Sequence, residues 1–215
     1  MPPVGAPLHP ARRPALRDRA IVGLARILTG AFFRSVEVEG ERPPDGPVVL
    51  AASHLYGFVD PVVLVSRLGV FPRFLAKATL WKVPVARLLL GFARVIPVHR
   101  KVDGAAEGDN VGMFSSAVEA LRAGGTIALF PEGTTHDEPT LRPLRTGAAR
   151  IALEAAAAGV EDVRIVPVGV TYEDKVRVRG RALVSYGTPI EVPVVPGGDD
   201  DRDAVRALTD RLQTD

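Results

Sequence analysis

The chain contains no cysteine. Disulfide scaffolds, thiolate metal sites and cysteine nucleophiles are therefore excluded; a reducing interior fits this composition without being required by it. Histidine is scarce as well. His9, His54, His99 and His136 lie far apart and none belongs to an HExxH-type pair, so no metal is expected. No GxxxxGK[ST] and no strand-linked GxGxxG occurs, which argues against an NTPase or a dinucleotide-dependent dehydrogenase. No apolar run reaches the roughly 18 residues that a membrane-spanning helix needs, and the N-terminal MPPVGAPLHPARRP lacks the apolar core of a signal peptide. A charge excess is missing too. Lys+Arg number 27 against 25 Asp+Glu, so nothing in the balance calls for a nucleic-acid partner.

What is present reads as one globular unit. The 215 residues are 47% hydrophobic and 24% charged, enough to bury a core and too apolar for disorder. Apolar β-branched runs alternate with helical patterns, the signature of an α/β layered fold. Val48–Ser53 reads as a buried strand after the turn cluster RPPDGP. Asp60 and Pro61 read as N-cap and first residue of a helix that closes at Gly69. Strands are expected at 73–77, 94–98, 126–130, 163–171 and 182–186, and helices at 86–92, 111–122, 144–158 and 203–212. Two arginine-bearing apolar segments, Ile21–Phe33 and Pro84–Val98, each have two readings: core elements, or segments lying in a headgroup layer with arginines reaching phosphates. For the second, the core reading is the favoured one.

Three features bear on chemistry. His54 follows a buried strand in SHLYGFVDP, and ligands of open α/β sheets sit beyond the carboxyl ends of strands. A histidine there serves as a general base if a carboxylate such as Asp60, six residues on, fixes its tautomer; an ordinary loop histidine beside a helix cap is the plainer alternative. Phe130–Thr135, FPEGTT, presents Glu132 at a second strand end beside Gly133. Arg100 and Lys101 follow another strand, and Arg145 is expected to open the helix LRTGAARIAL; positive side chains with a helix N-terminus suit a phosphate. Taken singly, each is also an ordinary surface charge.

Taken in order, these blocks resemble the lysophospholipid and glycerol-phosphate acyltransferase family, the PlsC-like group. The resemblance rests on His54 with Asp60, on RVIPVHR ending at Arg100, on Phe130-Pro131-Glu132-Gly133-Thr134, and on IVPVGV at 165–170. AKATLWKVP, containing Lys77, is similar to the stretch between the first two blocks, and LRTGAARIA to the helix after the third. The similarity covers about residues 36–190. One departure is the spacing: five residues separate His54 from Asp60 where four are common. A branch similar to fungal glycerol-3-phosphate and dihydroxyacetone-phosphate acyltransferases also has five, and PEGTTHDEPTLRPLRTG resembles that branch's sequence.

The resemblance implies a single domain with a central, mostly parallel mixed sheet flanked by helices. It divides the chain into a basic, amphipathic segment (1–34), an acyltransferase domain (35–192) and a linker with a terminal helix (193–215). It implies transfer of a fatty acyl group from acyl-CoA or acyl carrier protein to a glycerol-phosphate or lysophospholipid hydroxyl in phospholipid synthesis. His54 is then the base and Asp60 its orienting carboxylate. Arg100 binds the acceptor phosphate in a pocket shaped by Glu132, Gly133 and Thr134, with Arg145 and Lys77 as further phosphate ligands. No cofactor beyond the acyl donor is implied, and the expected location is peripheral, on the cytoplasmic face of a membrane. An acyl thioesterase, using the same base on water, and a non-catalytic lipid-binding protein of the same fold are the competing readings.

Overall fold

The computed structural model describes residues 15–99, 110–133, 142–174 and 179–214. The described chain runs α1 (Leu16–Phe32), β1 (Ser35–Glu39), β2 (Val48–Ala52), α2 (Val59–Leu68), β3 (Arg73–Lys77), a 3₁₀ turn (Ala78–Lys82), α3 (Pro84–Phe92), β4 (Ile96–Val98) and α4 (Val111–Arg122). It continues through β5 (Thr126–Leu129), α5 (Gly147–Ala157), β6 (Arg164–Tyr172), β7 (Arg181–Tyr186), β8 (Ile190–Glu191), a second 3₁₀ turn (Gly198–Asp200) and α6 (Arg202–Thr214). The strands form one sheet in the order β1-β7-β6-β2-β5-β3-β4, with β8 paired to β6. β6, β2, β5, β3 and β4 are parallel to one another, while β7 and β8 pair antiparallel to β6. This is the expected mixed, mostly parallel sheet.

The burial pattern explains why β2 is apolar at every position. Successive side chains of a strand point to opposite faces. Val48, Leu50 and Ala52 pack on one side with α1 and α2, and Val49 and Ala51 on the other with α4, α5 and α6. A strand covered on both faces loses the apolar-polar alternation of a half-exposed one. Burial at this level is worth about 1.5–3 kcal/mol for each large aliphatic side chain.

The structure departs from the sequence expectations in several places. β1, SVEVE, is an edge strand that pairs in parallel with β7 through Val36 opposite Ala182; only Val36 is buried, so its hydrophobic signal is weak. The helix carrying Asp60 begins at Val59, not after an Asp60 cap, because the carboxylate is engaged elsewhere. α5 begins at Gly147, two residues beyond Arg145. The core reading of Pro84–Val98 holds for Ile96 but fails for α3, which has no buried residue. α3 ends through Arg94, whose φ of 50° lies in the left-handed region, so β4 starts two residues later than expected. No described helix is long and apolar enough to cross a membrane.

Candidate functional site

Register brings the sequence blocks together. β2 and β5 pair in parallel with Ala51 opposite Leu129, so the residues after each strand emerge side by side. Glu132, three residues past Leu129, is buried, and its Oε1 accepts the backbone N–H of His54 at 2.9 Å. On the other side β6 pairs with β2 through Val168 opposite Ala52 and then runs on four residues to Tyr172. The overhang is tied down by Ser53: its N–H donates to the Val168 carbonyl at 2.9 Å, and its Oγ accepts the Val170 N–H at 2.8 Å.

Parity selects the face. Ala52 and Ala128 point toward the α1–α2 layer, and His54 and Phe130 continue that phase. The His54 ring stacks on Phe130 at 4.2 Å between centroids, and Phe130 in turn on Phe74 at 6.3 Å. His54 Nδ1 lies 2.9 Å from Asp60 Oδ2. With the carboxylate as acceptor, Nδ1 is the donor of this bond, and in a neutral ring of that tautomer the lone pair lies on Nε2. The five intervening residues fit because Gly57 turns with φ 56° and Val59 N–H bonds back to the Tyr56 carbonyl at 3.1 Å, starting α2 one residue before Asp60. The longer spacing thus leaves the pair intact.

Asp60 is fully buried, which is costly for a carboxylate unless donors surround it. They do. Oδ2 accepts from His54 and from the Tyr56 N–H at 2.9 Å, and Oδ1 accepts from the Tyr172 hydroxyl at 2.6 Å. Its place in the first turn of α2 adds the favourable helix dipole. Burial, and next the Asp60 charge, push the Tyr172 phenol far above its ordinary value, so it stays protonated and remains the donor. Sequence reasoning missed Tyr172. A signal existed: Val166, Val168, Val170 and Tyr172 alternate on one face of β6, placing a phenol at the strand end.

Gly133 sits at φ 73°, and a Cβ there would come 2.5 Å from Arg145 Nε. Glycine therefore serves both the turn and the close passage of Arg145 over it. The Arg145 N–H anchors this segment by donating to the Pro131 carbonyl at 2.8 Å, while its side chain is exposed. Lys77 is exposed at the end of β3, one strand beyond β5 on the same sheet edge. Arg100, Lys101 and Thr134 lie outside the described residues. Beside Glu132, on the face opposite His54's, a cleft of about 310 Å³ opens between Pro167, Gly169 and Ser185 of the sheet and Leu212 and Gln213 of α6.

With that geometry in hand, three comparisons are informative. The profile of the family described as Acyltransferase matches residues 35–171. "Glycerol-3-phosphate O-acyltransferase 2" of Saccharomyces cerevisiae is 41% identical over 85 residues, 39% of this chain and 11% of the yeast protein. "Lyso-ornithine lipid O-acyltransferase" of Brucella abortus is 32% identical over 168 residues, 77% of this chain and 58% of that protein. The chain thus spans about a ninth of the yeast relative and just over half of the Brucella one. Among solved structures, the 1-acyl-sn-glycerophosphate acyltransferase PlsC of Thermotoga maritima shares the fold, with a TM-score of 0.63 at 20% identity over 91% of this chain and 76% of that one.

Proposed function

The chain belongs to the acyltransferase family, and on that premise we propose that it moves a fatty acyl group from a thioester to a hydroxyl of a glycerol-phosphate acceptor, with His54 as the general base. The observation that carries the reading is the His54 Nδ1–Asp60 Oδ2 contact of 2.9 Å to a buried carboxylate that also accepts from the Tyr56 N–H and the Tyr172 hydroxyl. A loop histidine beside a helix cap needs no such arrangement.

An alcohol is a poor nucleophile near neutral pH and must lose its proton as it attacks. Nε2 of His54 takes that proton while the oxygen–carbonyl bond forms, and the imidazolium is stabilised by Asp60. The carbon–sulfur bond then breaks and the proton passes to the departing thiolate. Direct transfer, without an acyl-enzyme, is what the family resemblance implies, and the absence of cysteine and of a GxSxG nucleophile elbow agrees with it. Glu132 serves by holding the His54 main chain at the right height. Arg145 and Lys77 supply positive charge along the sheet edge, and Arg100 and Thr134 complete the phosphate site. The donor is acyl-CoA or acyl carrier protein; the acceptor is glycerol-3-phosphate or lysophosphatidic acid. The exposed apolar side chains of α1 (Leu24, Ile27) and α3 (Leu88, Phe92) support peripheral binding to a membrane.

Thiol release from acyl-CoA tests this. Wild type and His54→Ala are compared with glycerol-3-phosphate, dihydroxyacetone phosphate, lysophosphatidic acid, lyso-ornithine lipid or no acceptor. Release that requires one acceptor and falls on the order of 10³-fold in the variant is expected. Equal release without acceptor makes the protein a thioesterase, and near-wild-type turnover in His54→Ala removes the base from its role. Silence with acyl-CoA moves the same panel to acyl carrier protein; silence there too leaves a lipid-binding protein.

A further inference from the structure

We propose that Tyr172 is a positioning residue of the His54–Asp60 pair, its hydroxyl setting how tightly Asp60 holds the histidine ring. The inference rests on the reading of His54 as the base. A carboxylate shares its charge among the donors around it. Asp60 Oδ2 faces the ring and the Tyr56 N–H, and the opposite oxygen, Oδ1, takes the Tyr172 hydroxyl at 2.6 Å. Charge-assisted O–H···O⁻ bonds of this length are among the stronger ones in proteins. Tyr172 thereby does two things. It fixes the carboxylate plane so that Oδ2 points at Nδ1, and it draws charge from Asp60 that otherwise stabilises the protonated ring.

Tyr172 is itself held firmly. Its strand residues pair with β7 through Tyr172 opposite Ala182. Its ring stacks on Phe33 at 5.7 Å and meets Tyr56 edge-on at 5.3 Å. The phenol comes from β6, Asp60 from α2 and Tyr56 from the turn between β2 and α2, so the two hydrogen bonds that Tyr172 and Tyr56 donate to Asp60 tie together three segments whose relative placement decides the ring's direction. Among the described residues, the titratable groups that meet the pair are Tyr56, Tyr172 and, through the His54 main chain, Glu132. Phe130 covers one face of the ring.

The test reads the His54 ring directly by NMR, with its signal identified by its loss in His54→Ala. Tyr172→Phe keeps the packed ring and removes only the donor. Asp60 then holds the protonated imidazole more tightly, and the titration midpoint of His54 rises by about half a pH unit. Fluorotyrosine at position 172, a stronger donor of nearly the same shape, lowers it. In the thiol-release assay Tyr172→Phe lowers kcat about tenfold with KM for both substrates within about twofold, and the acid limb of the pH profile follows the NMR midpoint. A midpoint that stays put in both proteins overturns the proposal; so does a fall in kcat without such movement, which marks Tyr172 as structural only. The fluorinated protein retains the full side chain, so a Tyr172→Phe chain that fails to fold does not decide the matter. If the midpoint moves as described but the wild type shows no acceptor-dependent release, the tyrosine's hold on the ring stands and the transferase reading falls.

Discussion

Two apolar helices on this sheet end in opposite situations. α5, GAARIALEAAA, buries seven of its residues between the strands and the neighbouring helices. α3, PVARLLLGF, is at least as apolar and buries none. Each carries one arginine. The difference lies in side-chain size and in what lies on the far side. Alanines let α5 approach β2 and β6 closely while α4 and α6 cover its back. α3 connects β3 to β4, the last two strands at one end of the sheet, and among the described residues it packs chiefly against the 3₁₀ turn at Ala78–Lys82. Hydrophobicity alone therefore does not locate a helix; the number of surfaces that topology offers it does.

The largest effect expected of this contrast is in α5. Ile151 is fully buried, and Ile151→Ala should cost about 3 kcal/mol in urea unfolding, from lost transfer energy and the cavity left behind. A cost below about 1 kcal/mol would mean that the site collapses freely and that α5 is not clamped. Next comes Ala152→Leu, which forces added carbons into a filled position and should cost about 2 kcal/mol; a neutral result would reveal unused space against the sheet.

At the end of α3 the expected sign reverses. α2 closes with Gly69 at φ 80°, whereas α3 closes with Arg94 at φ 50°. Glycine relieves the left-handed backbone there but frees the unfolded chain, so Arg94→Gly should stabilise by about 0.5 kcal/mol. A loss of stability would show that the arginine side chain contributes more than its backbone costs.

The same contrast shows how far the sequence was legible. Strands of the parallel core and the helices between them were readable because β2, β5 and β6 are continuous apolar runs closed by turn residues. The pairing of His54 with Asp60 was readable because six residues of turn and helix start can fold back on themselves. Asp60 as a helix cap was wrong, since His54, Tyr56 and Tyr172 compete for its oxygens. Tyr172 was not legible locally. Its bond to Asp60 spans 112 positions and depends on β6 outrunning β2, which no local pattern encodes. Glu132 was visible as a strand-end carboxylate, but that it grips the His54 main chain follows only from the β2–β5 register.

The smallest stability effect belongs to α3, and it discriminates most about what that helix does. Val85, Leu88, Leu89 and Phe92 recur at helical spacing and form one stripe, with Leu88 75% exposed and Phe92 57%. Replacing two such residues removes nothing from the core, so Leu88→Ser with Phe92→Ser should change unfolding free energy by less than about 0.5 kcal/mol. If the stripe meets lipid, the same double change removes two side chains each worth about 1.5 kcal/mol or more on burial, and binding to anionic phosphatidylglycerol vesicles should weaken about 100-fold. Exposed Lys82, Arg87 and Arg94 flank the stripe, so the remaining affinity should fall further as salt rises. Unchanged vesicle binding would turn attention to Leu24, Ile27 and Leu28 of α1, the other exposed apolar face. Because α3 follows β3 by a single short turn, at the edge where His54 stands, docking through it brings that edge close to the lipid surface, where an acyl chain resides.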